Sequence, residues 1–145
     1  MGSGITGWGY EGRTVADLVE FTRAMVAEWV VDVRLTPLSR KPGFSKRALA
    51  AALTEAGIQY LHLPALGNPR DNRAGFADAN GPQGQAARAR YASEVLATDA
   101  AREALDQLRA LGARGRVVLF CFEADGRCCH RTEVLHAVNA TGLRA

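Results

Sequence analysis

The chain has 145 residues, of which 48% are hydrophobic and 23% charged, with a formal net charge of +3. That size and balance suit one globular domain over residues 1–145 and exclude a disordered, collagenous or disulfide-stapled chain. With no run of 18 apolar residues, no membrane-spanning helix is expected.

In chain order, Ile5-Thr6-Gly7 reads as a first strand and Gly7 to Gly12 as a glycine-rich turn. Thr14, with Asp17 three residues on, forms a capping-box pair. Val15, Leu18, Val19, Thr22, Met25, Val26 and Trp29 follow at helical spacing. Val30 to Val33 is a strand of the buried type, and 35–44 is a loop holding two prolines. Ser45 is placed to cap a second helix with the apolar face Leu49, Ala52, Leu53 and Ala56, ended by Gly57. Ile58 to Leu63 is the third strand, closed by Pro64. Residues 64–84, rich in Gly, Asn, Asp and Pro, read as a long loop, the kind that is functional or mobile. Residues 85–111 read as helical with a break near Thr98-Asp99. Val117 to Phe122 is a fourth strand, and the last helix is expected from about Cys129 to Asn139.

Strands that alternate with helices predict an α/β fold. The expected form is a three-layer, Rossmann-like open sheet, mostly parallel, of four to five strands with helices on both faces. Ligands of such sheets bind beyond the carboxyl ends of the strands. Four unusual segments each follow a strand: Gly7 to Gly12, Asp32-Val33-Arg34, Pro64 to Gly67, and Cys121 to Arg131. Parallel strands would gather all four on one edge.

Taken together, several ordered segments resemble a known family. They are Thr6-Gly7-Trp8-Gly9-Tyr10-Glu11-Gly12-Arg13, Val31-Asp32-Val33-Arg34, Pro37-Leu38-Ser39-Arg40, Phe44-Ser45-Lys46, Tyr60-Leu61-His62-Leu63-Pro64-Ala65-Leu66-Gly67, and Cys121-Phe122-Glu123 leading to Cys129-His130-Arg131. The chain is similar over nearly its whole length to the family catalogued as domain of unknown function 488. The resemblance implies the same α/β architecture and says little about activity. Two departures stand out. Members commonly carry another strand after the last helix, where this chain has only Thr141 to Ala145. Cys128 is an extra cysteine beside the family-like Cys129.

The three cysteines are an odd number with two adjacent, a poor disulfide framework that points to a reducing cytoplasm. The start of the chain lacks the basic and apolar stretches of a secretory leader. Cys129, beside His130 and Arg131 at an expected helix start, is a candidate nucleophile or redox-sensitive thiol with a lowered pKa. His130 suits acid or base work. Glu123, directly after the fourth strand, with Tyr10, Glu11 and Asp32 on the same expected edge, is a candidate general acid or base. The competing reading is an ion-pair network of Asp32, Arg34, Glu123 and Arg131. Arg34, Arg40 and Lys46, in and beside a basic loop, and Arg131, are candidate anion-binding residues, with Glu11 beside them on the substrate side.

Three other patterns carry less. Cys121 to Arg127 has the Cys-x5-Arg spacing of cysteine phosphatases, but Glu123 and Asp125 would repel a phosphate dianion. Gly7, Gly9 and Gly12 spell Gly-x-Gly-x-x-Gly, with Asp32 about 20 residues on, but Trp8, Tyr10 and Glu11 would crowd a pyrophosphate. Cys121, Cys128, Cys129, His130 and His136 lack the two separated ligand pairs usual at zinc. No cofactor is therefore predicted, and a metal is the lesser alternative. The expected function is an enzyme acting on a phosphate-bearing substrate, such as a nucleotide or nucleic acid component. The mild positive charge fits an anionic small molecule or nucleic acid as partner, with no membrane and no indication of oligomeric state. The alternatives are a noncatalytic nucleic-acid-binding module and a redox-sensing or metal-binding thiol protein.

Overall fold

A computed structural model describes residues 4–142. The elements are β1 (Ile5–Gly9), α1 (Val15–Ala24), β2 (Ala27–Asp32), α2 (Lys46–Glu55), β3 (Gln59–His62), α3 (Arg73–Phe76), α4 (Pro82–Tyr91), α5 (Asp99–Arg114), β4 (Arg116–Cys121) and α6 (Arg131–Gly142). A π-helical turn, Ala92–Leu96, extends α4. Residues 143–145, which bear on a further strand, lie outside the described residues.

The four strands form one sheet in the order β1-β4-β2-β3, and every neighbouring pair is parallel. Alternation along each strand divides the core into two layers. Trp8, Val30, Val118 and Phe120 pack on one face with Leu18 of α1 and Leu49 and Leu53 of α2. Ile5, Val31, Val117, Leu119 and Cys121 pack on the other with Tyr91, Leu105, Leu108, Val134 and Val138 of α4, α5 and α6. This is the three-layer, Rossmann-like arrangement expected from the pattern. Val117 to Cys121 of β4 and Trp29 to Val31 of β2 are unbroken apolar stretches because both faces of these central strands are covered.

The order of the strands places the crevice. After β1 and β2 the chain crosses through α1 and α2 on one face; after β3 and β4 it crosses through α4, α5 and α6 on the other. Each neighbouring pair in the order β1-β4-β2-β3 therefore sends its following connections to opposite faces. A crevice lies beyond the carboxyl ends of the central strands β4 and β2, the edge at which open α/β sheets bind ligands.

Locally, α1 begins as its sequence requires: Thr14 Oγ1 accepts from Asp17 N–H at 3.1 Å, and Asp17 Oδ2 accepts from Thr14 N–H at 2.8 Å. Four expectations shift. Helix α1 stops at Ala24, so Met25 and Val26 form the turn and Trp29 lies in β2 rather than on the helix. Ser45 stands before α2 but makes no side-chain cap; its hydroxyl joins the backbone of Ser39 instead, and the Pro37 carbonyl accepts the Lys46 N–H. The segment 64–84 is not an open loop but carries two 3-10 turns, α3 and the start of α4. The last helix begins at Arg131, two residues later than expected, because a 3-10 turn at Gly126–Cys128 precedes it and Cys129 is extended. Among the described residues, no helix is long and apolar enough to cross a membrane.

Candidate functional site

Beyond β2 and β4 lies a cavity of about 130 Å³. Tyr10 from the β1 loop, Arg34, Leu35, Thr36 and Leu38 from the β2 loop, and Cys121 to Glu123 and Cys128 to His130 from the β4 loop line it. Asn68, Arg73 and Phe76 close it from the segment after β3. All four strand ends thus contribute.

One wall is a buried ion pair. Asp32, fully buried at the end of β2, accepts from Arg34 Nε at 2.9 and 3.1 Å and from Arg34 Nη2 at 2.7 Å. It also accepts from the Tyr60 hydroxyl at 2.6 Å and from the Arg34 backbone N–H at 3.1 Å. Arg34 Nη1 donates to the Phe44 carbonyl at 2.7 Å, and its guanidinium lies against the rings of Tyr10 and Phe120. Burial opposes the Arg34 charge, but the bonds and charge of Asp32 outweigh it and hold the guanidinium protonated. Burial, together with the Asp32 charge, pushes the Tyr60 hydroxyl upward and keeps it neutral. Tyr10 stacks on Phe44 at 4.5 Å and on Phe120 at 5.3 Å between ring centroids.

The floor is a thiol–imidazole cluster. His130 Nε2 lies 2.8 Å from the Val33 carbonyl oxygen. A carbonyl can only accept, so in the neutral ring Nε2 carries the proton and Nδ1 is the bare acceptor. Nδ1 faces Cys129 Sγ at 3.8 Å and Cys121 Sγ at 3.9 Å. The backbone N–H of Arg131 reaches Cys129 Sγ at 3.5 Å. Tyr91 meets the His130 ring edge-on at 5.4 Å, and its hydroxyl is spent on the Leu66 carbonyl at 2.6 Å.

The strand β1 runs on through Gly7 and Gly9, where a turn was expected, and close backbone approach explains these two glycines. A Cβ on Gly9 would run into the Glu123 carbonyl, and one on Gly7 would press on the Arg131 side chain. These glycines admit the β4 loop; they are not cradling a phosphate. Arg131, buried, donates from both terminal nitrogens to the carbonyls of Glu123 and Ala124, and so shapes that loop. Glu11 Oε1 accepts the Ala124 N–H at 3.1 Å and ties the same loop from the other side.

The family model described as domain of unknown function DUF488 matches residues 14–138. The chain belongs to the DUF488 family. Among curated proteins and among solved structures, none matches it. Of the segments that resemble the family, those around Tyr10, Arg34, Leu38, Glu123 and Cys129-His130 reach the cavity.

Among the expected site residues of this DUF488 chain, Tyr10, Arg34, Glu123, Cys129 and His130 line the cavity. The others do not. Asp32 is sealed behind Arg34 and Tyr60, so it acts as an ion-pair partner and does not line this cavity. Arg131 and Glu11 are bound to backbone groups. Arg40 and Lys46 are exposed and outside the lining, because the β2 loop turns Leu35, Thr36 and Leu38 to the cavity instead. The expected four-residue ion network reduces to the Asp32–Arg34 pair: Arg131 bonds the Glu123 carbonyl oxygen, not its carboxylate. The lowered thiol pKa expected at Cys129 is also overturned. Cys129 is 2% exposed, and burial pushes its thiol well above the ordinary range, with the neighbouring Cys121 adding to the shift. Cys128, the more accessible thiol, is raised as well by desolvation and the nearby Asp125.

Asn68, Arg73 and Phe76 were not anticipated. Asn68 is 3% exposed, and its Oδ1 accepts from Asn72 Nδ2 at 3.0 Å. Their only signal was the polar density of 64–84.

Proposed function

We propose that this DUF488 chain is an enzyme acting on a small phosphate-bearing molecule, of which the phosphate or a group of similar size enters the crevice between β2 and β4. The observation that carries this reading is the convergence of all four strand ends on one cavity that holds a guanidinium, an amide donor and a carboxylate. Arg73, Asn68 Nδ2 and the N–H groups that Arg34 does not spend on Asp32 and Phe44 are the anion donors. Glu123 has no hydrogen bond or ion pair to its carboxylate among the described residues, which suits a group that exchanges a proton with substrate. The Tyr10 hydroxyl is a second candidate proton donor at the same wall.

Size argues against an extended nucleic acid as the occupant. Ligand pockets commonly run from about 300 to 1,000 Å³, and this one is smaller. Three of the basic residues that could track a strand, Arg90, Arg109 and Arg127, each pair with a neighbouring carboxylate instead. A substrate that inserts only one small anionic end fits better than a noncatalytic nucleic-acid module.

The test is a thermal-shift and turnover screen of small phosphate esters and mononucleotides against the wild type, Glu123→Gln and Arg73→Ala. Glu123→Gln is expected to keep ligand binding and to lose turnover by about 10²-fold or more. Arg73→Ala is expected to weaken binding about tenfold, one charge-assisted contact being worth roughly 1.5–3 kcal/mol. A bound ligand whose affinity and turnover ignore both changes would refute the reading.

A further inference from the structure

The cluster of Cys121, Cys129 and His130 has the composition and spacing of a metal site. Their ligand atoms lie within 4.8 Å of one another, and all three residues are buried. A tetrahedral zinc ion with sulfur at about 2.3 Å and nitrogen at about 2.0–2.1 Å would set sulfur–nitrogen edges of about 3.6 Å. The observed sulfur–nitrogen distances are 3.8 and 3.9 Å, so these edges close by a few tenths of an ångström. The sulfur–sulfur edge, within 4.8 Å, closes by up to about 1 Å to the roughly 3.8 Å such an ion sets. From these observations we infer that Cys121 Sγ, Cys129 Sγ and His130 Nδ1 form a binding site for a thiophilic divalent cation such as zinc, with the fourth ligand supplied from the cavity.

The surroundings are those of a ligand set. In the neutral ring Nδ1 is the nitrogen without a proton, because Nε2 gives its own to the Val33 carbonyl. A metal-binding histidine is usually oriented in this way, by a hydrogen bond from its far nitrogen to a carbonyl or carboxylate. The Arg131 N–H aimed at Cys129 Sγ would neutralise part of a thiolate's charge. As the two sulfur–metal bonds form, each thiol releases its proton, so two protons leave for each ion bound. Two thiolates, one neutral imidazole and a divalent cation then sum to zero, which suits a buried place. The sequence pattern hides the site, since one ligand ends β4 and the other two precede α6. The usual pair of separated ligand pairs never forms along the chain.

Three protein ligands with the fourth from a cavity is the arrangement of catalytic rather than structural zinc. The inference nevertheless stands apart from the phosphate reading, and its test reads metal and not turnover. The full chain, purified without chelator from zinc-supplemented cells, is assayed for metal by mass spectrometry. It is then stripped and titrated with Co²⁺ while the thiolate charge-transfer and tetrahedral d–d bands are followed. The expected result is one ion per chain and both sets of bands. Cys121→Ser, Cys129→Ser and His130→Asn should each weaken binding at least tenfold, while Cys128→Ser should bind as the wild type does. Circular dichroism of the metal-free variants separates lost ligation from lost folding. Should a ligand variant fail to fold, proton release by the wild type on zinc titration, expected at about two per ion, decides in its place. A wild type that takes up no stoichiometric metal, a Cys121–Cys129 disulfide in the reduced preparation, or loss of binding in Cys128→Ser would overturn the assignment.

Discussion

The three thiols of this chain differ less in chemistry than in access, and access decides their reactivity. Cys121 and Cys129 are 4% and 2% exposed, whereas Cys128 is half-buried with its sulfur near the Ala77 carbonyl. A thiol reacts as the thiolate, and burial disfavours that form while blocking the reagent. In metal-free protein, a limited pulse of iodoacetamide at neutral pH should therefore label Cys128 first, and Cys121 and Cys129 only as the fold opens. Mass mapping of the time course checks this, and early labelling of Cys129 would contradict the placement of its side chain. The same residue shows what single positions can and cannot say. Cys129-His130-Arg131 is visible in the sequence as a chemically rich triplet. That its sulfur is covered, and that His130 turns Nδ1 toward a cysteine nine residues earlier, depends on β4 and α6 meeting in space. Arg40 and Lys46 mislead in the opposite sense: they look like an anion site, but the turn of the loop leaves them on the outside.

At the scale of elements, local signals were legible wherever the chain answers to itself. The Thr14–Asp17 capping box, the apolar run of β4 and the break at Thr98 each arise from bonds or burial within a few residues. The end of α1 was not legible, because apolar residues at helical spacing continue into β2, and only sheet pairing of Trp29 with Gln59 and Val117 decides its state. The joint between α1 and β2 carries a cost. Val26 has φ 55°, is 76% exposed, and occupies the position after the helix cap where glycine is usual. The left-handed conformation costs an ordinary L-residue roughly 1–2 kcal/mol, and a β-branched one is a clear outlier there. Glycine loses some of that gain through its freer unfolded chain. Val26→Gly should thus stabilise the fold by about 0.5–1 kcal/mol, read as a higher denaturation midpoint with an unchanged denaturant slope. A lower midpoint would mean that the Val26 side chain packs in a way its exposure does not suggest.

For the molecule as a whole, the sheet and its crevice follow from a feature the sequence states only in part. Strand–helix alternation implies parallel strands, but the order β1-β4-β2-β3, which brings the β2 and β4 loops together, depends on contacts far apart along the chain. The Asp32–Arg34 pair stands at that meeting point. It joins the end of β2 to Tyr60 in β3, to the Phe44 carbonyl before α2, and through the rings of Tyr10 and Phe120 to the ends of β1 and β4. Because both partners are buried, removing one leaves an uncompensated charge in a poorly solvating place. The cost of such a break is about 3–5 kcal/mol, against a total stability of about 5–15 kcal/mol for a domain. Asp32→Asn keeps the shape of the side chain but removes the charge that balances Arg34. It is expected to lower the unfolding free energy by about 3 kcal/mol or more, measured by urea denaturation at neutral pH. Glu123→Gln, which breaks no protein ion pair among the described residues, should stay within about 0.5 kcal/mol of the wild type, as surface changes usually do. The contrast between two carboxylates, one after each central strand, separates the scaffold carboxylate from the one proposed to react. If Asp32→Asn were as stable as the wild type while Glu123→Gln unfolded, the two carboxylates would have to exchange the roles given to them here.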